Sequence, residues 1–346
     1  MGWEEVCEIR TMNQPSISIV VPVYNVGPYV EDCIRSVMRQ TYTGPMECII
    51  VDDCGTDDSM EIVERLVAEY DGPIAFQILH HTHNRGISAA RNTGMDAVTG
   101  DYLFYIDSDD ELTDDCIERL TEPLKKAWYD VVAGNVACYR FSPSGQLEKM
   151  RSAQELSVAE DCLLSPPQIL RSHRKVWGQA SWNKLYNVAF LRGNAIRFKE
   201  GILHEDNLWS FQVACLADGL YCVNHITYIY VNQRTGGITY HETKQEIANC
   251  MTTILMEMRA FVDSRKIDNR ETFPFFRDFF YKVLDYDPGS LAAYVSRYRL
   301  LRPYINVSMT DIVKSNQHKI KDCLRDCLYL FPPRVAPYWL YLIRHL

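Results

Sequence analysis

Apolar and polar residues alternate along the first third of the chain with two different periods. Ile17 to Val23 is a continuous run rich in β-branched residues, which is typical of a strand buried on both faces. Further strands are predicted over residues 47–51, 74–80 and 102–106. Apolar residues at helical spacing predict helices between them, over residues 28–40, 57–70 and 86–98. This βαβαβαβ order predicts a doubly wound, mostly parallel α/β sheet with right-handed crossovers.

Polar residues follow three of these strands at the point where the strand ends. Tyr24 and Asn25 follow the first strand, Asp52 and Asp53 the second, and Asp107 the fourth. Ligands of such sheets bind at the carboxyl ends of the strands. We therefore expect these side chains to line one crevice.

The pattern changes after Asp130, where short strands and helices are predicted up to about residue 240. The remainder is mostly helical, with segments near residues 243–264, 274–286, 290–302 and 308–329. We therefore divide the chain into an N-terminal extension (1–14), a catalytic-type α/β domain (15–240) and a helical C-terminal region (241–346).

The composition is that of a globular protein, with 47% hydrophobic and 23% charged residues in a chain of 346. The net charge of −9 argues against a nucleic-acid-binding protein. The charge is uneven, since residues 290–346 carry nine Lys or Arg and three Asp or Glu. The N-terminus has no apolar signal sequence, and no apolar run approaches the ~20 residues that span a membrane. The twelve cysteines are therefore expected to be reduced thiols of a cytoplasmic protein.

Three carboxylates crowd the turn after the fourth predicted strand. Asp107, Asp109 and Asp110 would raise one another's pKa unless a cation lies beside them. Carboxylate oxygens suit Mg²⁺ or Mn²⁺, and these ions in turn suit a pyrophosphate. A helix N-cap or a solvated loop is the alternative interpretation of an acidic turn taken alone.

The ends of the first two strands carry groups suited to a nucleoside. One of Asp52 and Asp53 could accept a hydrogen bond from a base while the other orients a ribose. Tyr24 could stack on the base. N-capping of the following helix is the alternative role for the two aspartates.

Basic residues flank the start of the third predicted helix. Arg85 precedes Gly86, which permits close approach of the backbone, and Arg91 lies in the second helical turn. Either arginine could contact phosphate or hold the acidic turn. An internal salt bridge from Arg91 to Asp107 or Asp53 is the alternative.

Four motifs in this order resemble those of family-two glycosyltransferases with the GT-A fold. They are Val21-Pro-Val-Tyr-Asn25, Val51-Asp-Asp-Cys-Gly-Thr-Asp-Asp-Ser59, Asn84-Arg-Gly-Ile-Ser-Ala-Ala-Arg-Asn-Thr-Gly94 and Gly100-Asp-Tyr-Leu-Phe-Tyr-Ile-Asp-Ser-Asp-Asp110. The resemblance is close over residues 16–120 and weaker up to about residue 240, and Cys54-Gly55 stands where the family usually has Gly-Ser. It implies a Rossmann-like sheet with a donor half over residues 15–128 and an acceptor half over residues 129–240.

The resemblance also implies an inverting transferase that uses a nucleotide sugar, chiefly a UDP-sugar, together with Mn²⁺ or Mg²⁺. Asp107 and Asp109 are similar to the family's metal and pyrophosphate motif, and His241 could also reach the metal, although a surface histidine is the alternative. The residues implied in donor binding are Pro22, Tyr24, Asn25, Asp52, Asp53, Asn84, Arg85, Gly86, Arg91, Asp107, Ser108 and Arg234. Arg234 belongs to a loop, residues 233–239, that resembles one which closes over the donor phosphates.

Inverting transfer also needs a general base, and the resemblance implies that Asp206 supplies it. Glu205 is implied as an acceptor or orienting contact, and an acid-rich helix N-terminus is the alternative interpretation of both residues. Residues 181–186 resemble an acceptor-side segment, in which Trp182 could stack on a sugar ring and Lys184 could hold an acidic group. Packing of Trp182 in the core is the alternative.

These features predict a glycosyltransferase that acts on a glycan or lipid-linked glycan in surface polysaccharide synthesis. The alternatives are a sugar-nucleotide nucleotidyltransferase, which would normally have a glycine-rich loop after the first strand, and a non-catalytic binding module. The basic C-terminal region ends in an aromatic and aliphatic stripe over residues 335–346. That stripe suits either peripheral contact with anionic lipid on the inner face of the membrane or packing onto the transferase domain.

Overall fold

The computed structural model of the protein describes most of the chain. The described residues are 14–142, 146–150, 155–156, 158–173, 176–232, 243–285, 291–305, 307–315, 323, 326–332 and 334–345. The predicted N-terminal extension and the loop with Arg234 and His241 lie outside these ranges. The domain boundary at about residue 240 therefore stays a prediction.

The elements follow the predicted order closely through the first four strands. The strands are β1 (Ile17–Val23), β2 (Met46–Asp52), β3 (Ala75–His80), β4 (Tyr102–Tyr105), β5 (Glu111–Leu112), β6 (Val131–Phe141), β7 (Leu147–Met150), β8 (Cys162–Leu164), β9 (Lys184–Asn187) and β10 (Leu220–Asn232). The helices are α1 (Gly27–Met38), α2 (Ser59–Glu69), α3 (Ile87–Ala97), α4 (Cys116–Thr121), α5 (Pro166–Ser172), α6 (Val188–Gly193), α7 (Asp206–Leu216), α8 (Lys244–Arg265), α9 (Asn269–Asp285), α10 (Leu291–Leu301), α11 (Met309–Ser315) and α12 (Ala336–His345).

A single mixed sheet with the strand order β3-β2-β1-β4-β9-β6-β10-β5 forms the centre of the fold. The strands β3, β2, β1 and β4 are parallel, and β6 is parallel to β10. The short β9 lies antiparallel between β4 and β6, so both of these neighbours run in the same direction. The mostly parallel α/β sheet predicted from the sequence is therefore confirmed.

Pro22 helps to open a crevice between β1 and β4. The ladder between these strands ends at the pair Val20 and Tyr105, after which Ile106 donates its N–H to the carbonyl of Val20. The backbone N–H and C=O groups of residues two apart in a strand point to the same neighbouring strand. The backbone of Pro22 therefore faces β4, beyond the last residue pair of the ladder between these strands. A residue without an N–H is tolerated there. The chain also reverses its strand order between β1 and β4, which is where ligands of such sheets bind.

The second half of the sheet differs from the prediction of short strands after Asp130. The strands β6 and β10 have 11 and 13 residues and pair with each other in parallel. Irregular pairing between Val223 and Tyr228 breaks the apolar periodicity of β10, and this hid the strand in the sequence. Of the helix predicted over residues 308–329, α11 covers Met309–Ser315 and residues 327–330 form a 3₁₀ turn, while most of the segment between them lies outside the described residues.

Helices cover the sheet on both faces. The helices α1 and α2 pack on one face with Ile17, Ile19 and Val21 of β1. The helix α3 packs on the other face, in a core that continues through α7 to the C-terminal helices and ends at Leu340. None of the described helices is both long enough and apolar enough to cross a lipid bilayer. The described cysteines are free thiols.

Gly94 sets how closely α3 approaches β1. A Cβ atom on Gly94 would lie 2.3 Å from the Val20 side chain. We expect Gly94→Ala to lower the free energy of unfolding by about 1–3 kcal/mol, because the helix must move away from the sheet. Gly193→Ala is the matched control, since among the described residues nothing beyond its own local chain lies within 4 Å of a Cβ there. Urea denaturation that gives the two variants equal stability would contradict this tight packing.

Candidate active site

The loops after β1 and β2 are locked together at the edge of the crevice. Asn25 has a left-handed backbone with a φ of 51°, and its side-chain oxygen accepts a hydrogen bond from the N–H of Thr56 at 2.7 Å. Asp57 accepts a hydrogen bond from the N–H of Gly27 at 2.8 Å at the start of α1. Tyr24 is left 42% exposed beside this junction. Its ring is therefore accessible to a planar ligand such as a nucleobase.

Asp52 lies at the carboxyl end of β2 and keeps contact with solvent. One of its oxygens accepts a hydrogen bond from the N–H of Cys54 at 2.9 Å. The other lies 3.0 Å from Nδ1 of His80, whose register position on β3 is directly opposite. The side chain of Asp52 is 15% exposed. These contacts hold a carboxylate in a fixed orientation beside Tyr24, where it could accept a further hydrogen bond.

Asp53, in contrast, is buried and already has polar partners. Its two oxygens accept hydrogen bonds from the N–H groups of Arg85 and Gly86, each at 2.8 Å. Nδ1 of His81 lies 2.7 Å from the same carboxylate. Gly86 has a φ of 85°, a conformation that favours glycine. In this structure Asp53 therefore orients the turn that begins α3, and its predicted contact with the donor stays a prediction.

Arg91 joins the acidic turn after β4 to the start of α7. Its side chain is only 1% exposed. Nη2 donates to Asp107 Oδ1 at 2.7 Å, and Nη1 donates to Glu205 Oε1 at 2.6 Å and to Asp206 Oδ1 at 3.2 Å. The guanidinium carbon lies 5.1 Å from the ring centre of Phe198. One buried cation therefore holds Asp107 together with the adjacent Glu205 and Asp206, which lie about 100 residues further along the chain.

Burial and charge set different protonation states within this cluster. Burial by itself lowers the pKa of Arg91, but the charges of Asp107, Asp206 and Glu205 raise it above its ordinary value. Burial, followed by the charge of Asp206, raises the pKa of Glu205 to about 7 against the opposing effect of Arg91. The side chain of Glu205 is 8% exposed and that of Asp206 is 24% exposed. Near neutral pH, Glu205 is therefore the acid that retains a proton, and Asp206 faces solvent.

Tyr228 of β10 fixes the acidic turn from the other side. Its hydroxyl donates to Asp110 Oδ2 at 2.8 Å and accepts a hydrogen bond from the N–H of Asp107 at 3.2 Å. Burial raises the pKa of Tyr228, followed by the charges of Asp110 and Asp107, so the hydroxyl stays neutral. Asp110 and Ser108 are buried, whereas Asp107 and Asp109 are partly exposed. The turn thus presents two of its three carboxylates toward a ligand.

Asp107 and Asp109 fit a divalent cation that arrives with its own oxygen ligands. In the described ranges, no three His, Cys, Asp or Glu side chains come together as a ready-made metal site. Mg²⁺ commonly takes one or two carboxylates and completes its coordination with substrate phosphates and water. The pair on this turn matches that donor set and does not match an all-protein metal site.

The predicted acceptor residues Trp182 and Lys184 have internal partners in the structure. Trp182 is 6% exposed and stacks on Tyr228 at 4.4 Å between ring centres. The ammonium of Lys184 donates to the carbonyl of Ala180 at 2.7 Å, and burial lowers the pKa of Lys184 to about 8. This arrangement matches the alternative interpretation from the sequence, in which Trp182 packs in the core. Acceptor binding by either residue would require its side chain to leave these partners.

Arg85 and Asn84 lie on the rim of the crevice, where both are exposed. The guanidinium of Arg85 pairs with Glu200 at 3.3 Å, and both side chains are largely solvated. Such a pair adds little stability, so Arg85 can exchange Glu200 for a phosphate at low cost.

Sequence reasoning missed three residues that position the site. His80 is the last residue of β3 and His81 follows it, so their place at the end of a third strand was a usable signal. His81 links Asp53 to Thr93, whose hydroxyl lies 2.9 Å from Nε2. Tyr228 had no such signal, because its role depends on how β10 pairs within the sheet.

Comparisons with known proteins identify the family and the fold. Residues 18–179 match the family model described as glycosyl transferase family 2. The relatives include the glycosyltransferase GlyG of Streptococcus pneumoniae, which is 29% identical over 64% of this chain and 72% of its own length. They also include the glycosyltransferase GlyA of the same species, 31% identical over 62% of this chain and 30% of GlyA, and the uncharacterized glycosyltransferase EpsJ of Bacillus subtilis, 33% identical over 60% of each chain. The chain thus spans less than two thirds of GlyA and of EpsJ.

Solved structures share the fold at low sequence identity. TarS 1-349 of Staphylococcus aureus in complex with UDP-GlcNAc aligns with a TM-score of 0.59 and 18% identity over 89% of both chains. The mannosyltransferase PcManGT of Pyrobaculum calidifontis, in complex with GDP-Man and Mn²⁺, aligns with a TM-score of 0.56 and 16% identity over 95% of this chain and 84% of its own. The four motifs, the sheet and the family match lead to one conclusion: the chain contains a glycosyltransferase family 2 domain with the GT-A fold.

Proposed function

We propose that the protein is a metal-dependent, inverting glycosyltransferase that uses a UDP-sugar. The observation that carries this proposal is the contact of one guanidinium, that of Arg91, with both Asp107 at 2.7 Å and Asp206 at 3.2 Å. Inverting transfer needs a group at the leaving diphosphate and a base at the acceptor hydroxyl, and Arg91 holds one candidate for each. The complexes of fold relatives with UDP-GlcNAc and with GDP-Man support a nucleotide-sugar donor.

Asp206 is the general base of the proposed reaction. It takes the proton from the acceptor hydroxyl, whose oxygen attacks the anomeric carbon as the bond to the diphosphate breaks on the opposite face. The side chain of Asp206 is 24% exposed and that of Glu205 only 8% exposed, so Asp206 is the acid that an acceptor hydroxyl can reach. Two adjacent acids in different environments can divide their roles in this way.

Asp107 and Asp109 serve the departing diphosphate. A bound Mg²⁺ or Mn²⁺ would neutralise the charge that develops on the leaving group. Arg91 holds Asp107 in place with a charge-assisted hydrogen bond, and Tyr228 holds the turn through Asp110. Tyr24 and Asp52 receive the base, with Asp52 oriented by Cys54 and His80.

The acceptor in this proposal is a glycan or a lipid-linked glycan of surface polysaccharide synthesis, and the enzyme acts in the cytoplasm. Support comes from the relatives, among which is the poly(ribitol-phosphate) β-N-acetylglucosaminyltransferase TarS of Staphylococcus aureus, 23% identical over 63% of this chain. Peripheral contact with the inner membrane face belongs to the same proposal.

We expect Asp206→Asn to bind donor normally and to lose transfer by a factor on the order of 10²–10⁴, because the amide cannot take a proton. Single-turnover transfer to a glycan acceptor and calorimetry of UDP binding would separate the two effects. Asp218→Asn, another aspartate in the chain but outside the cluster, is the control. Transfer at the parent rate would reduce Asp206 to a helix-terminal acid.

We expect Asp109→Asn to lower UDP affinity in the presence of Mn²⁺ with little change in the free energy of unfolding. The reason is that the variant lacks one of the two carboxylates that would bind the cation, and the cation in turn binds the diphosphate. Calorimetric titration of UDP with and without Mn²⁺ measures the effect. Asp114→Asn is the matched control, because this aspartate lies just after β5 and its side chain is 60% exposed. Equal UDP binding with and without Mn²⁺ by the parent protein would contradict a metal site at this turn.

The protonated Glu205 predicts a pH-dependent stability. Its pKa is raised from 4.5 to about 7, so the folded state binds this proton more tightly than the unfolded state. The resulting stabilisation is present below pH 4.5 and is lost as the pH rises through about 7. We therefore expect the free energy of unfolding of Glu205→Gln to fall less than that of the parent as the pH rises through this range.

Urea denaturation at several pH values measures this difference, with Glu200→Gln as the control because that side chain is 46% exposed. An unchanged pH dependence in Glu205→Gln would show that Glu205 is already ionised in the folded protein.

A further inference from the structure

The exposed apolar side chains of the protein are concentrated in its C-terminal part. Fourteen large apolar side chains are exposed among the described residues, and nine of them lie between Leu291 and Leu342. Single exposed apolar residues are ordinary, whereas a contiguous group marks an interaction surface.

The helix α12 has two apolar faces with different environments. Ala336 and Leu340 are buried, at 0% and 1% exposure, in the core described above. Val335, Tyr338, Trp339 and Leu342 have the spacing of a single helical stripe, yet they are 43–53% exposed. The helix is therefore anchored by one side and leaves an apolar stripe on the other.

Neighbouring segments continue this stripe. Leu330 and Phe331 immediately precede it in the chain and are 38% and 44% exposed. Met309 of α11 is 52% exposed, and its sulfur lies 3.8 Å from the sulfur of Cys327 in the adjoining turn. We call the surface formed by Met309, Leu330, Phe331, Val335, Tyr338, Trp339 and Leu342 the C-terminal apolar surface.

The sequence of the C-terminal segment that carries this surface favours an anionic partner. Residues 290–346 carry a charge of +6, from nine basic and three acidic residues, although the whole chain has a charge of −9. Arg334 and Lys314, close in sequence to the apolar residues, are exposed. The acidic Asp326 is fully buried and pairs with Arg277, so it offers no negative charge to a partner. A symmetric contact between two copies would bring two basic segments together, whereas anionic lipid is attracted.

We propose that the C-terminal apolar surface binds an anionic lipid bilayer, with α12 lying in the interface. Trp and Tyr side chains favour the boundary between headgroups and acyl chains, and flanking Arg and Lys contact the headgroups. This inference deepens the proposed membrane contact, but it rests on the C-terminal helices and not on the transferase chemistry. Vesicle binding and donor binding can therefore fail independently.

The test is cosedimentation of the full chain with phosphatidylcholine vesicles that contain or lack phosphatidylglycerol, at low and high salt. We expect binding that requires phosphatidylglycerol and weakens with salt. The double variant Trp339→Ser/Leu342→Ser should lower the partition coefficient by roughly tenfold or more. Its matched control is Trp128→Ser/Leu163→Ser, which changes the same two residue types at 46% and 51% exposure and should bind like the parent.

Circular dichroism and calorimetric UDP binding would establish that both variants are folded. Equal loss of vesicle binding in the two variants, or no binding by the parent, would overturn the proposal. A third result would also overturn it: the parent forms a concentration-dependent dimer, and Trp339→Ser/Leu342→Ser abolishes the dimer without changing vesicle binding. The surface would then bind a second copy of the chain.

Discussion

A buried positive charge on α3 constrains the whole active site. The guanidinium of Arg91 can remain 1% exposed only if carboxylates surround it, because an unpaired charge in the interior costs several kcal/mol or more. Those carboxylates come from the end of β4 and the start of α7, so the two segments must meet at this helix. Asn92 strengthens the junction, since its side chain exchanges two hydrogen bonds with the backbone of Phe198, at 2.9 and 3.0 Å. Arg91 thus determines where the proposed base lies relative to the proposed donor site.

Many acids of the site have hydrogen-bond partners within the protein. Asp53 holds two backbone amides at the start of α3, Asp57 holds an amide of α1, and Asp110 accepts a hydrogen bond from Tyr228. Each lies within a motif that resembles a substrate-binding motif. Preorganisation explains their number, because a carboxylate in contact with substrate must itself be held by neighbouring groups. Only the partly exposed members of this acidic group, such as Asp107 and Asp109, remain accessible to a diphosphate and its cation.

The sequence predicted the first four strands because their periodicity is local. The run from Ile17 to Val23 forms a strand with those bounds, and the family resemblance carried the motifs to the correct strand ends. The insertion of β9 between β4 and β6 and the pairing of β10 depend on contacts between distant segments, which no local pattern contains. Burial could not be predicted for the same reason. The sequence analysis gave Lys184 the role of holding an acidic group on the acceptor side, but β9 places Lys184 in the interior.

The site is acidic although its proposed donor is an anion, and the structure shows how this conflict can be resolved. Arg91 compensates part of the charge, burial keeps a proton on Glu205, and backbone amides compensate Asp53. The partly exposed carboxyl groups of Asp107 and Asp109 lie at the crevice, where burial raises the pKa of Asp107 against the opposing charge of Arg91. An isolated diphosphate would be repelled by negative charge on these residues, and the divalent cation of the proposed reaction would offset that repulsion. The proposed metal would thus complete a charge balance to which Arg91 and the backbone amides already contribute.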